Sequence, residues 1–229
     1  MVLSLVALDM DGTLVDVASS WGFVHDHFGE SNAEGLRLFN ENRIGDEEFI
    51  RSDVRLWWKH APDLTVFELE AILAEAPLMP GARELVEGLK REEVVTALIS
   101  GGVDLLARRV ARELGIDYAL ANGFRTDGQG RLTGEGIVRV PIWSKEAVLA
   151  KLQDDLGVSP EATASVGNSE IDVGLFRRSR VGVAFLPVDD DIRRAATHVV
   201  SERDLRRVRD LLLPLVDDPA GAPERGERF

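Results

Sequence analysis

The chain contains no cysteine and only one tyrosine among its 229 residues. The missing thiols exclude disulfides, thiolate nucleophiles and cysteine-ligated zinc. Long apolar runs are also missing: none reaches the roughly 18 residues of a spanning helix. The N-terminus lacks the basic stretch and cleavage site of a signal peptide. A soluble, cytoplasmic protein without a membrane partner is therefore expected. Positive charge is scarce, with 27 Lys and Arg against 40 Asp and Glu and a net charge of -13. Such a surface repels a phosphate backbone, and no aromatic-interleaved basic stretch offsets it, so no nucleic-acid partner is expected. No H-E-x-x-H pair is present, which leaves zinc-protease chemistry without support. Without repeats or low-complexity tracts, the expected state is a monomer or small homo-oligomer.

What is present is a chain with 45% hydrophobic residues, enough for a packed core. Val2 to Leu8, Val94 to Ser100, Ala162 to Val166, Val181 to Leu186 and Thr197 to Ser201 read as strands. Helical patterns lie between them at Ala82 to Arg91, Val103 to Leu114 and Lys145 to Leu156. Apolar strands alternating with amphipathic helices predict a three-layer, Rossmann-like α/β fold around a parallel sheet. Ligands of such sheets sit at the carboxyl ends of the strands.

Residues 17–76 read differently, as four helices: Ala18 to Phe28, Ala33 to Asn42, Glu47 to His60 and Val66 to Glu75. Three of the four tryptophans lie there, Trp21, Trp57 and Trp58. This predicts a helical cap inserted after the first strand, with its own core. The catalytic α/β core then comprises residues 1–16 and 77–213. Tyr118 to Val140 reads as an irregular piece with a turn at Asp127-Gly128-Gln129-Gly130 between short strands. Residues 214–229, rich in Pro, Gly, Glu and Arg, read as a flexible tail.

The chemistry gathers at four places. Asp9 and Asp11 end the first apolar run and are followed by Gly12-Thr13. Two adjacent carboxylates attract a cation or raise one another's pKa, and a carboxylate can attack phosphorus. Asp and Gly are equally good turn formers. Ser100-Gly101-Gly102 offers a hydroxyl and closely approachable backbone N–H groups, a possible phosphate seat, or else a helix cap. Lys145 opens a helix, where the dipole disfavours a cation unless an anion lies nearby. In Gly167-Asn168-Ser169-Glu170-Ile171-Asp172 the side chains of Asn168, Glu170 and Asp172 could bind a cation or cap a helix start. Taken together on one rim of one sheet, these segments make a Mg²⁺-assisted phosphate site with a nucleophilic carboxylate.

The same segments resemble the haloacid dehalogenase superfamily of phosphatases, especially its phosphoserine phosphatase branch. Asp9-Met10-Asp11-Gly12-Thr13, Ser100-Gly101-Gly102, Lys145 and the stretch Gly167 to Asp172 correspond in order to its four motifs. Leu114 to Asn122 and Gly130 to Gly134 also resemble that branch. The resemblance implies that Asp9 becomes an aspartyl-phosphate and that Asp11 protonates the leaving oxygen and then activates water. Ser100, Gly101, Gly102 and Lys145 would hold the phosphate. Asp9, Asp11, Asn168 and Asp172 would form the Mg²⁺ site.

Three departures follow from the resemblance. Asn168 stands where the family places a metal-binding aspartate, and Ile171 where phosphoserine phosphatases place an asparagine. Ala18 stands where they place a cap glutamate that reads the substrate amino group. Trp21, Arg51, Arg55, Trp57 and Trp58 are the candidate specificity residues. The expected activity is Mg²⁺-dependent hydrolysis of a small phosphorylated metabolite, phosphoserine phosphatase-like in chemistry. Phosphoryl transfer to an acceptor other than water and non-catalytic binding of a phosphate ligand are the alternatives.

Overall fold

The computed structural model describes residues 2–217. The first strand, β1 (Leu5–Leu8), leads into four helices: α1 (Ser20–Phe28), α2 (Ala33–Asn40), α3 (Asp46–Trp57) and α4 (Val66–Leu73). The chain then returns through α5 (Ala82–Arg91), β2 (Val95–Val103), α6 (Asp104–Leu114), β3 (Tyr118–Thr126) and β4 (Leu132–Ile137). It continues with α7 (Lys145–Leu156), β5 (Thr163–Gly167), α8 (Val173–Arg177), β6 (Val181–Phe185), α9 (Asp190–Ala195) and β7 (His198–Val200). Two short helices close it, α10 (Arg206–Leu212) and α11 (Pro214–Asp217).

The strands form one seven-stranded sheet in the order β4-β3-β2-β1-β5-β6-β7. Every pairing is parallel except β3 with β4, an antiparallel hairpin at the edge. The sheet is thus mixed, not wholly parallel: the turn at Asp127 to Gly130 folds β4 back on β3. Asp127 makes that turn by accepting from the N–H groups of Gln129 and Arg131.

Side chains of β1 alternate between two cores. Leu5 and Ala7 pack with Leu149 and Leu152 of α7 and Leu175 and Phe176 of α8. Val6 and Leu8 face the other layer, with Leu85 and Leu89 of α5, Leu106 and Val110 of α6, and Val208 of α10. Both faces are covered, which is why β1 is apolar without alternation. A buried leucine of this kind stabilises the fold by about 1.5–3 kcal/mol relative to exposure.

The helical cap starts and stops at its own signals. Ser19 caps α1 by accepting from Gly22 N–H, and Asn32 caps α2 through Gly35 N–H. Thr65 and Glu68 form a reciprocal capping box on α4, worth on the order of 1 kcal/mol. Gly29 ends α1 at φ 66°, a left-handed conformation suited to glycine.

The cap is tied to the core at both ends and along one side. Its two linkers run side by side: Asp16 N–H donates to Pro77 O at 2.9 Å and Met79 N–H to Leu14 O at 2.9 Å. Helix α3 lies on β4, where a Cβ at Gly136 would sit 3.0 Å from Ile50, tighter than ordinary van der Waals contact. The segment before α4 extends the hairpin edge, with Leu132 N–H on Leu64 O and Val66 N–H on Gly130 O.

Residues 214–217, expected in the flexible tail, form α11, with Val216 buried and Leu215 O accepting from Leu3 N–H at 3.3 Å. The remainder of that expected tail lies outside the described residues. Among the described residues no helix is long and apolar enough to cross a membrane.

Candidate active site

The carboxyl ends of β1, β2 and β5 meet on one rim, beneath the cap. Asp9 follows β1 directly and is buried. Beyond it the chain turns sharply, with Met10 O accepting from the N–H groups of Thr13, Leu14 and Val15. Gly12 makes the turn possible at φ 72°, and a Cβ there would lie 2.1 Å from Asn168 Nδ2. The glycine therefore serves both the turn and the close approach of the β1 and β5 loops.

Lys145 is the centre of the charge network. Its Nζ donates to Asp9 Oδ1 at 2.7 Å and to Asp172 Oδ1 at 2.6 Å, and the side chain is 1% exposed. Burial disfavours its charge, but Asp172 and Asp9 outweigh burial and hold its pKa above the usual lysine value. The unfavourable helix-start position is thus offset by two anions.

Asp9 has its pKa raised to about 7, first by burial and then by the charge of Asp172, against the opposing pull of Lys145. Asp11 is raised as well, again by burial, while the hydrogen bonds from Ser20 pull it down. The two carboxylates have different surroundings. Asp11 Oδ2 accepts from both Ser20 N–H and Ser20 Oγ at 2.8 Å. Its Oδ1 is sealed from solvent and has no partner.

The β2 end differs from the expected helix start. The strand runs on through Ser100-Gly101-Gly102, and its register against β3 shifts between Ile99 and Val103. Ser100 does not cap α6: its Oγ accepts from Gly102 N–H at 3.1 Å. A Cβ at Gly102 would sit 2.6 Å from Ser20 Oγ and 2.7 Å from Asp11 Oδ2. Only a glycine lets this strand end lie against Asp11.

In the β5 loop, Asp172 Oδ2 accepts from the N–H groups of Asn168 and Ser169 while Oδ1 holds Lys145. Both Asp172 oxygens are already engaged within the protein. Asn168 lines the cavity with Asp9 and Asp11, whereas Glu170 is exposed.

A cavity of about 540 Å³ rises from Asp9 and Asp11 into the cap. Asp9, Asp11, Ser100, Gly101, Gly102, Lys145 and Asn168 all line it. Of the five cap candidates, Trp21 does too, and its Nε1 donates to Gly101 O at 3.0 Å, a direct cap–core tie. Arg51 and Arg55 turn instead to Glu48. Trp57 is fully buried and stacks on Trp21 at 6.1 Å, and Trp58 packs against Gly134.

Sequence reasoning did not find Ser20, His25, Asn32 or Asp53. Asp53 Oδ1 accepts from His25 Nε2 at 2.8 Å and Asn32 Nδ2 at 2.6 Å, and Trp57 Nε1 donates to His25 Nδ1 at 3.0 Å. The available signal was the i, i+3, i+4, i+7 spacing in α3: Ile50, Asp53, Val54 and Trp57 share its buried face. An acid on that face has to be partnered.

Residues 6–177 match the model of the haloacid dehalogenase-like hydrolases. The chain belongs to this family. Within the haloacid dehalogenase-like hydrolases it stands in the phosphoserine-phosphatase-like branch. It is 33% identical over 187 residues to a phosphoserine phosphatase of Archaeoglobus fulgidus, covering 79% of this chain and 52% of that one. The chain thus spans about half the length of that relative. It is 28% identical to the phosphoserine phosphatase of Methanocaldococcus jannaschii, over 89% of this chain and 95% of that one. The fold is similar to a solved phospho-aspartyl intermediate analogue of phosphoserine phosphatase, with a TM-score of 0.77 and 25% identity. That likeness covers 93% of this chain and 100% of the other.

Proposed function

We propose that this hydrolase cleaves a small phosphate monoester with Mg²⁺ through an aspartyl-phosphate on Asp9. The observation that carries the reading is the unequal treatment of two carboxylates two residues apart. Asp9 has one oxygen on Lys145 and the other without a hydrogen bond from the described residues. Asp11 has one oxygen pinned by Ser20 and the other buried, bare and raised in pKa. The first suits a nucleophile and the second a proton carrier.

In the first step Asp9 forms a bond to phosphorus as the ester P–O bond breaks. Asp11 gives its proton to the departing oxygen. In the second step Asp11 takes a proton from water, the water oxygen bonds to phosphorus, and the Asp9–phosphorus bond breaks to free phosphate. Lys145, held protonated, offsets charge on Asp9 and the phosphoryl oxygens. Ser100, Gly101 and Gly102 line the phosphate end. Asp172 orients Lys145 and the 168–169 turn.

The donors around Asp9 are oxygens, which suit Mg²⁺ with one or two carboxylates plus substrate phosphate. Asp9, Asp11 and Asn168 would hold it, and Asp172, already engaged, would act through Lys145. When bound, the cation favours the ionised form of Asp9 and stabilises charge spread over the phosphoryl oxygens. Closing the cap over a bound substrate would exclude bulk water from the cavity. Relatives that carry the name phosphoserine phosphatase support the reaction type.

The test is phosphate release from p-nitrophenyl phosphate with and without Mg²⁺. Activity that requires Mg²⁺ and vanishes in Asp9→Asn is expected. Full activity in that variant would overturn the mechanism.

A further inference from the structure

The charges at the cap end of the cavity point to the organic part of the substrate. Cap residues Asp26, Glu30 and Asp53 all line this space. Among the described residues Lys145 is the one lysine or arginine in the lining, and it is engaged by Asp9 and Asp172 at the catalytic end. Arg51 and Arg55 are committed to Glu48 outside the cavity.

His25 supplies no counter-charge either. An indole N–H only donates, so Trp57 Nε1 requires a bare Nδ1 on His25. The ring proton is then on Nε2, donated to Asp53 Oδ1 at 2.8 Å. A second proton on Nδ1 would meet the indole N–H head on. Asn32 adds a second donor to the same oxygen.

Asp53 is therefore a carboxylate held rigidly at 2% exposure, with Oδ1 accepting from two donors and Oδ2 receiving no hydrogen bond from the described residues. A buried carboxylate without a cation is costly and calls for a partner. The fixed ring and amide pre-orient it. Trp21 and Phe49 add aromatic wall to the same cavity, surface that suits an alkylammonium.

Resting on the hydrolase reading above, we infer that the substrate is the phosphate ester of an amino alcohol. It carries an ammonium, received by Asp53, and no carboxylate. Glu30 is already paired with Lys59 and His60, so a substrate carboxylate would face the buried Asp53 and the exposed Asp26, with no lysine or arginine of the described residues lining that end to receive it. Phosphoserine is thus a poor substrate despite the relatives' names.

The experiment compares kcat/KM with Mg²⁺ for four probes. O-Phosphoethanolamine carries an ammonium alone, O-phosphoserine an ammonium and a carboxylate, and glycerol 3-phosphate neither. p-Nitrophenyl phosphate reports the bare chemistry. O-Phosphoethanolamine is expected to exceed both O-phosphoserine and glycerol 3-phosphate by at least about tenfold. Asp53→Asn, checked for an unchanged melting profile, should bring the phosphoethanolamine to glycerol phosphate ratio to near one. O-Phosphoserine turned over as well as O-phosphoethanolamine, or a ratio untouched by Asp53→Asn, overturns the inference while leaving the hydrolase reading intact. No release from any probe, p-nitrophenyl phosphate included, overturns the hydrolase reading and the inference with it.

Discussion

Ser20 joins Asp11 to the end of β2: its hydroxyl donates to Asp11 Oδ2 at 2.8 Å and accepts from Val103 N–H at 2.9 Å. The first residue of the cap's first helix thus positions the carboxylate proposed as proton carrier. Both Ser20 hydrogen bonds lower the Asp11 pKa against burial. Ser20→Ala removes the hydroxyl bond and leaves Val103 N–H unpaired. The variant should lose about 1–3 kcal/mol of stability. In the proposed mechanism Asp11 must be protonated for the first step, so a further rise in its pKa should move the alkaline limb of kcat/KM to higher pH. An unmoved or lowered limb would separate Asp11 from proton transfer.

Asp9 links stability to pH in the metal-free protein. Its folded pKa of about 7 lies above the ordinary 3.8. Its contribution is therefore fully present below about 3.8 and is lost as pH rises through about 7. Asp9→Asn has no such dependence. In chelator, melting of the two proteins between pH 5 and 8 should shift in favour of the variant as pH rises. A gap constant across that range would show that Asp9 is already ionised at the lower pH.

Lys145 cannot be removed cheaply. Lys145→Met leaves Asp9 and Asp172 buried without their cation, an expected loss of about 3–5 kcal/mol. Combined with Asp172→Asn the loss should be smaller than the sum of the two single changes, because one stranded charge is gone. Urea titration of all four proteins measures this coupling. Simple additivity would contradict the shared network.

At the proposed Mg²⁺ site Asn168 would supply less charge than an aspartate. Asn168→Asp should lower the Mg²⁺ concentration for half-activation about tenfold, read from activity titrations and checked by calorimetry. Weaker activation would mean that residue 168 does not face the cation. Gly12→Ala tests the same contact from the other side: at φ 72°, and with a Cβ 2.1 Å from Asn168 Nδ2, it should cost about 1–3 kcal/mol and weaken Mg²⁺ activation.

Much of the fold was legible because its signals are local. The apolar β1, β2, β5 and β6 and the amphipathic α5, α6 and α7 show their burial in their periodicity. The four cap helices were found within a few residues of their ends, since Gly29, Gly45 and Pro62 punctuate them. The extension of β2 through two glycines was not legible, because it depends on a distant contact: beyond the register shift after Ile99, Val103 pairs with Asn122 of β3. Nor was the helical turn at 214–217, which packing of Val216 supports.

The sequence by itself determined the α/β layering, the inserted cap and the order of the acidic, glycine-rich and lysine segments, because periodicity and turn chemistry act between neighbours. Only the tertiary structure decided how those segments divide the work. Lys145 meets Asp9 across 136 positions of chain, and Val103 N–H meets Ser20 across 83. Burial then sets the charges of these groups. The Asp53–His25–Trp57 chain likewise exists only where α1 packs on α3. A pKa or a tautomer belongs to an environment, and distant parts of the chain build that environment.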